Sequence, residues 1–212
     1  MPRIDPLEPP YSEDVASDLA AMMPPGVEPL LLFRTLAHNP RILSKIRASN
    51  LLDRGSLDRR DRELVILRSC ARCGSEYEWG VHVSIFARRF GLSEKEIEGT
   101  RLAAWRDPLW TERDRDLVRL VDELHDDATL SDALWERLAQ TREHDQLVEL
   151  IVLTGFYHTI SFVTNGLQVE REPAAERFPA GDDPKTVTGK RGGSATSGET
   201  SETGVPAQEV RQ

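Results

Sequence analysis

The chain has 212 residues, a net charge of −9, 39% hydrophobic and 30% charged residues, which makes it one domain with extensions or two small ones. The acidic balance and the lack of a long Lys/Arg run argue against a nucleic-acid partner. No apolar run reaches the ~18 residues of a membrane span, and "MPRIDPLEPPYSED" lacks the basic-then-apolar order of a signal peptide, so a cytoplasmic protein without a membrane partner is expected.

Seven prolines fall in the first 29 residues, and "MMPPGVEP" marks a break. Residues 1–28 therefore read as a proline-rich arm with one short helix, Glu13 to Met23, capped by Ser12. From Leu30 the apolar period is near 3.6 and stays so. "PLLLFRTLAHNP" reads as a helix closed by Asn39-Pro40, and "RILSKIRASNLL" as a second ending near Gly55. Asp58 can cap the next, Arg59 to Cys73, with Asp61 in its first turn. Ser75 can cap a helix to Phe90 with Gly91 as its stop, and Ser93 another from Glu94 to Ala104. Thr111 can cap "ERDRDLVRLVDELHDD", and Ser131 "DALWERLAQ". "HDQLVELIVLTGFYHTISFVTNGLQV" has the density of a long buried helix. Its Gly155 costs ~1 kcal/mol relative to Ala, which predicts close approach by another helix, within the chain or across a subunit boundary. No segment alternates with period two, so the fold class is all-α, a bundle of antiparallel helices over residues 29–178. From residue 179 to 212 the only large apolar residues are Val187, Val205 and Val210, and a disordered tail is expected.

The chemistry concentrates between Glu63 and His82. Glu63 lies at the edge of the stripe formed by Leu64, Leu67 and Ala71. It reads either as a first-turn acid favoured by the helix dipole or as a half-buried carboxylate. Trp79, Val83, Phe86 and Phe90 form a core stripe with His82 one step round. Glu78 stands four residues before His82, close enough to orient it as a proton shuttle. It is also the fourth residue of S-x-x-E with Ser75, a capping box that would occupy it otherwise.

Cys70 and Cys73 spell C-x-x-C at the C-terminal end of a helix, where the dipole disfavours a thiolate. In a reducing compartment they are more simply thiols than a staple. Structural thiols, a redox pair and a metal site all remain open from the spacing, although zinc would want two more ligands at comparable spacing. No metal or cofactor is called for. Arg68 reads as a solvated helix residue or a partner for a substrate carboxylate. His158 reads as a core or interface histidine, His38 as a helix-end residue, and His125 and His144 as solvated.

"RELVILRSCARCGSEYEWGVHVSIFARRFGLSEKEI", from Arg62 to Ile97, with flanks "LLLFRTLAHNPRIL" and "LVELIVLTGFYHTISFVTNGLQV", resembles the carboxymuconolactone decarboxylase family, which includes the alkylhydroperoxidase D-like proteins. The family's peroxidatic motif has a Glu, eleven residues, then C-x-x-C-x-x-x-H. Placing its histidine on His82 puts its glutamate on Glu63 and its cysteines on Ser75 and Glu78, which are not thiols. "YEWGVH" looks like the non-peroxidatic subgroup. The resemblance implies a helical bundle with a long C-terminal helix and a homo-oligomer, a trimer or hexamer. It also implies a cofactor-free lyase acting on a small-molecule substrate by decarboxylation or isomerisation. Glu63, Glu78 and His82 would be catalytic, and Tyr77, Trp79, Arg68 and Ser75 would bind substrate. Two readings compete: a thiol-dependent peroxidase or disulfide reductase using Cys70 and Cys73, and a non-catalytic oligomeric scaffold.

Overall fold

The computed structural model describes residues 1–49, 51 and 55–181, so the tail expected from residue 179 lies, after Gly181, outside the described residues. Among the described residues there are nine α-helices and no strand: α1 (Glu13–Met22), α2 (Leu31–Leu36), α3 (Pro40–Ala48), α4 (Arg59–Arg72), α5 (Glu76–His82), α6 (Glu94–Leu102), α7 (Glu112–Asp127), α8 (Asp132–Ala139) and α9 (His144–Gly166). A π-helical turn, Val83–Ala87, continues α5.

The caps explain most boundaries. Asn39 accepts from the Ile42 N–H and Pro40 takes the first helical position, so the Asn-Pro pair opens α3 as well as following α2. Asp58 accepts from the Arg60 N–H, Thr111 from the Asp114 N–H, and Ser93 forms a full capping box with Glu96. Gly91 adopts a φ of 92°, the left-handed turn that ends the α5 extension. Ser12 and Ser131 stand at their N-cap positions without a side-chain capping bond; the Ser131 hydroxyl instead meets Glu123.

Helix α4 is the axle. It packs against α5, α6, α7 and α9, and Leu64, Val65, Ile66 and Leu67 are all fully buried, as only a helix covered on every side allows. Full burial of one such side chain contributes about 1.5–3 kcal/mol. From Asp61 onward the charged residues of α4 are buried with it, and pairing offsets the cost: Asp61 meets Arg113, Arg68 meets Asp122, Arg72 meets Asp122 and Asp126, and Glu63 meets His82.

A second apolar cluster joins Val15 and Leu19 of α1, Leu32 and Leu36 of α2 and Leu43 of α3 to Tyr77, Val81 and Ile160. The proline-rich arm thus carries part of the core. The chain after α9 returns across α5. Phe178 packs on Trp79 at 5.3 Å between ring centroids, and Glu176 runs so close that a Cβ on Gly80 would lie 2.2 Å from its carbonyl oxygen.

Helix α9 is buried on one face only. Leu147, Leu150, Leu153, Tyr157 and Ile160 face inward, while Val148, Val152 and Phe162 are exposed. By length and composition α9 also suffices to cross a membrane, a property it shares with core helices of helical domains, although no uninterrupted apolar run of that length stands in the sequence. Gly155 has open space around it, with no atom within 4 Å of a Cβ built there. The close helix approach predicted within the chain is absent among the described residues, because Gly155 lies on the exposed face.

Candidate functional site

Glu63, in the first turn and a half of α4, and His82, the last residue of α5, meet in the interior. The two helices leave the Gly74 turn antiparallel, which brings positions nineteen apart in sequence to one level. The His82 Nδ1 lies 2.9 Å from Glu63 Oε2, and both side chains are buried. On its other side the imidazole Nε2 lies 3.1 Å from the Tyr157 hydroxyl and 3.5 Å from Glu78 Oε1. The structure thus brings together Glu63, Glu78 and His82, and adds Tyr157 from α9.

Burial opposes a charged imidazole here. Glu63, by charge and hydrogen bond, and then Glu78 outweigh it, so the His82 pKa is pushed from 6.5 up to about 10. His82 is an imidazolium at neutral pH, with both ring N–H groups donating: Nδ1 to Glu63, Nε2 to Tyr157. Burial, then the charges of Glu78 and Glu63, hold the Tyr157 phenol well above its ordinary value, so its O–H stays protonated. Glu63 Oε1 and Glu78 Oε2 are buried carboxylate oxygens without a hydrogen-bond partner among the described residues. Buried carboxylate oxygens in native folds find a donor, so each of these two calls for one from outside the chain, water included.

Glu78 is available because the capping box read from S-x-x-E does not form. Ser75 makes no capping bond to α5; its hydroxyl pairs with Thr164 of α9 at 2.9 Å, deep in the interior. The π-helical turn begins at the residue after His82, and such turns recur at functional sites. It also breaks the predicted stripe. Trp79 and Val83 are buried, but the extra residue in the turn leaves Phe86 and Phe90 half-buried, stacked on each other at 5.9 Å, with Phe86 5.2 Å from the His82 ring.

A small cavity of about 80 Å³ reaches this cluster. Its walls are Met22, Leu32, Phe33, Ile46, Phe156 and Ile160, and its polar groups are Glu78 and Tyr157. His82 stands behind them rather than on the wall. Among the described residues no Arg, Lys or His lines it.

The residues expected to bind substrate are placed elsewhere. The Tyr77 hydroxyl donates to Glu172 and accepts from the Leu32 N–H, which ties α5 to α2 and to the returning chain. Trp79 donates through Nε1 to Thr100 at 2.9 Å, in the core. Arg68 is not solvated: its guanidinium makes two 2.8 Å bonds to Asp122 and donates to the carbonyls of Thr100 and Ala103, on the wall of a separate pocket between α4, α6 and α7.

Cys70 is fully buried behind the cluster. Burial first, then the charge of Glu78, raises its thiol well above the ordinary value, with the nearby Ser161 hydroxyl opposing. Cys70 and Cys73 form no disulfide. His38 and His144 are exposed. His125, read as solvated, is instead half-buried and lies 2.9 Å from His158, which α9 turns toward α7.

Sequence reasoning missed Tyr157. Its signal is position: it falls on the inward stripe of α9 with Leu150, Leu153 and Ile160, and a buried tyrosine hydroxyl needs a partner.

The model of the carboxymuconolactone decarboxylase family matches residues 40–122. No curated protein matches the chain. Among solved structures, a protein of unknown function from Agrobacterium tumefaciens, named for a supposed AhpD-type role in antioxidant defence, is 23% identical and covers 65% of this chain and 94% of its own, with a TM-score of 0.58. An uncharacterized peroxidase-related protein from Silicibacter sp. TM1040 is 14% identical over 79% of this chain and 90% of its own, TM-score 0.68. The debrominase Bmp8, as a variant in complex with 2,3,4-tribromopyrrole, is 13% identical over 81% and 92%, TM-score 0.66. At these identities the likeness concerns the fold.

Proposed function

Taking as premise that the chain carries the central segment of the carboxymuconolactone decarboxylase family on an alkylhydroperoxidase D-like fold, we propose that it is a cofactor-free proton-transfer enzyme for a small, largely apolar carbonyl or lactone compound. The observation that carries this reading is the shared wall. Glu78, with an unsatisfied carboxylate oxygen, and Tyr157, backed at 3.1 Å by the His82 imidazolium, face one apolar cavity.

Glu78 is the base. It takes a proton from the carbon next to the carbonyl, and the electron pair of that C–H bond moves onto the carbonyl oxygen. The Tyr157 O–H donates a hydrogen bond to that oxygen. His82 supports it by donating its own Nε2–H to the phenol oxygen, which makes the phenol a stronger donor. Glu63 holds the imidazolium by its Nδ1–H. Donors fixed in a dry site are worth more than in water because they need not reorganise as charge develops. Where a C=C adjoins that carbon, the electron pair returns from the oxygen to the far alkene carbon as Glu78 delivers the proton there, which completes an isomerisation with no net change in either residue.

Decarboxylation, the chemistry in the family's name, is served less well. It needs a cation for the substrate carboxylate, and among the described residues no basic side chain lines the cavity, while Arg68 is held by Asp122. The thiol-peroxidase reading has in its favour the names of similar structures, but Cys70 is buried with a raised pKa, whereas an attacking thiolate needs exposure and a lowered one. A homo-oligomer is part of the proposal, with a second copy covering Val148, Val152 and Phe162 on the outer face of α9; light scattering on the full chain checks it.

The test is solvent deuterium incorporation by NMR into a panel of small unsaturated lactones and ketones. Exchange that Glu78→Gln abolishes is expected. CO2 release from lactone acids without exchange would move the assignment to decarboxylation, and inertness toward the whole panel with rapid peroxide reduction would sink it.

A further inference from the structure

One cluster of ligating side chains takes no part in this chemistry. Cys73 closes α4, His125 lies in the last turn of α7, and His158 follows Tyr157 on α9 but points toward α7. One ligand atom from each lies within 4.8 Å of the others. The Cys73 Sγ is 3.9 Å from His125 Nδ1, and His125 Nδ1 is 2.9 Å from His158 Nε2. A tetrahedral zinc ion with bonds of about 2.3 Å to sulfur and 2.0–2.1 Å to nitrogen sets S···N near about 3.5 Å and N···N near about 3.3 Å. Both observed separations lie within half an ångström of those values, on three separate helices that have no sequence motif in common.

The His158 tautomer is also set for ligation. His158 donates its Nδ1–H to the Thr154 carbonyl at 2.8 Å, which leaves Nε2 with its lone pair toward the cluster. That is how protein sites orient metal-bound imidazoles, through a carbonyl on the distal nitrogen. The Cys73 carbonyl is fixed by the Asn165 side chain at 2.9 Å, tying the α4 terminus to α9. One thiolate and two imidazoles are a borderline-soft donor set, suited to zinc and its d-block neighbours and poorly suited to calcium or magnesium.

We propose that Cys73, His125 and His158 form a three-residue site for a divalent zinc-type ion, joining the ends of α4 and α7 to the middle of α9. On binding, the Cys73 thiol gives up its proton to solvent and its sulfur coordinates as thiolate. The His125 proton moves from Nδ1 to Nε2, and the fourth position is left to water or another ligand. Because His158 and Tyr157 are consecutive on α9, the ion fixes the helix that carries the Tyr157 hydroxyl.

The experiment is anaerobic Co2+ titration of the reduced, metal-free full chain, with Zn2+ competition. Binding of one equivalent per chain is expected, with the intense visible bands of tetrahedral cobalt and a thiolate charge-transfer band in the near ultraviolet. Cys73→Ser removes the charge-transfer band, and His158→Asn weakens binding at least tenfold, while His144→Ala, an exposed histidine elsewhere, leaves both unchanged. Absence of stoichiometric binding, or the same spectrum and affinity in Cys73→Ser and His158→Asn, overturns the proposal. Should a variant fail to fold by far-ultraviolet circular dichroism, alkylation of the unaltered native chain, mapped by mass spectrometry, decides. Zn2+ that protects Cys73 supports the site, and equal alkylation with and without Zn2+ overturns it.

Discussion

The hydroxyl of Tyr157 lies 3.1 Å from the Nε2 of His82, so a phenol from α9 caps the outer nitrogen of an imidazolium whose inner nitrogen is bound by Glu63. This contact joins a hydroxyl on the cavity wall to a charge pair that does not line the cavity. The order from cavity to interior is Tyr157, His82, Glu63, with Glu78 beside the first two.

Tyr157→Phe removes the donor and keeps the ring. In the proton-transfer reaction it should lower kcat by about 10²–10³, the usual loss for one oxyanion donor, with little change in KM. Steady-state kinetics measure this, and equal losses in kcat and binding would assign Tyr157 to packing instead.

The charged state of His82 leaves a signature in stability. Its folded pKa of about 10 exceeds the 6.5 of a free imidazole, so the folded state holds the proton more tightly. The stabilisation is complete below pH 6.5 and is lost as pH rises toward 10, since above 6.5 the unfolded chain sheds the proton first. Between pH 6.5 and 8, before cysteine and tyrosine ionise, the melting temperature should fall with pH. The slope should be smaller in His82→Gln, and equal slopes in the two proteins would show that His82 is neutral in the fold.

Cys70 should behave as an inert core thiol. Native protein should not expose it to a disulfide-exchange reagent until denaturant is added, and Cys70→Ala should keep proton-transfer activity within about tenfold, since the sulfur supplies no nucleophile. Thiol counts before and after unfolding, with kinetics on the variant, check both statements.

Arg68→Met leaves the half-buried Asp122 without its main partner, with Arg72 at 3.4 Å as the remaining one. Losing the charge-assisted bonds of such a pair costs about 1.5–3 kcal/mol, which urea denaturation should register as a lower midpoint. An Arg68 that merely lay in solvent would give a change near zero.

Gly80→Ala places a methyl group 2.2 Å from the Glu176 carbonyl, a backbone atom that cannot swing aside. The returning chain must shift, and overpacking of this kind costs about 1–3 kcal/mol. Increased proteolysis after Glu176, together with a lower melting temperature, is the expected result.

How much of this was legible in the chain itself depends on the range of the interaction concerned. The all-helical class, the caps Asp58, Ser93 and Thr111, the stop at Gly91 and the pairing of Glu63 with His82 rest on local hydrogen bonds and on a spacing that a helical hairpin converts directly into proximity. The sequence alone settled those, together with the family resemblance over the central segment. It could not say that Ser75 would turn to Thr164 and leave Glu78 unclaimed, because that depends on a helix eighty-nine residues away. Nor could it say that Arg68 would find Asp122, that Tyr157 would reach His82, or that His125 and His158 would close on Cys73. A buried polar group must find a partner, and its identity is set by which helices the core brings to the same depth. Periodicity gives the face of each helix, and only the packed bundle gives the depth.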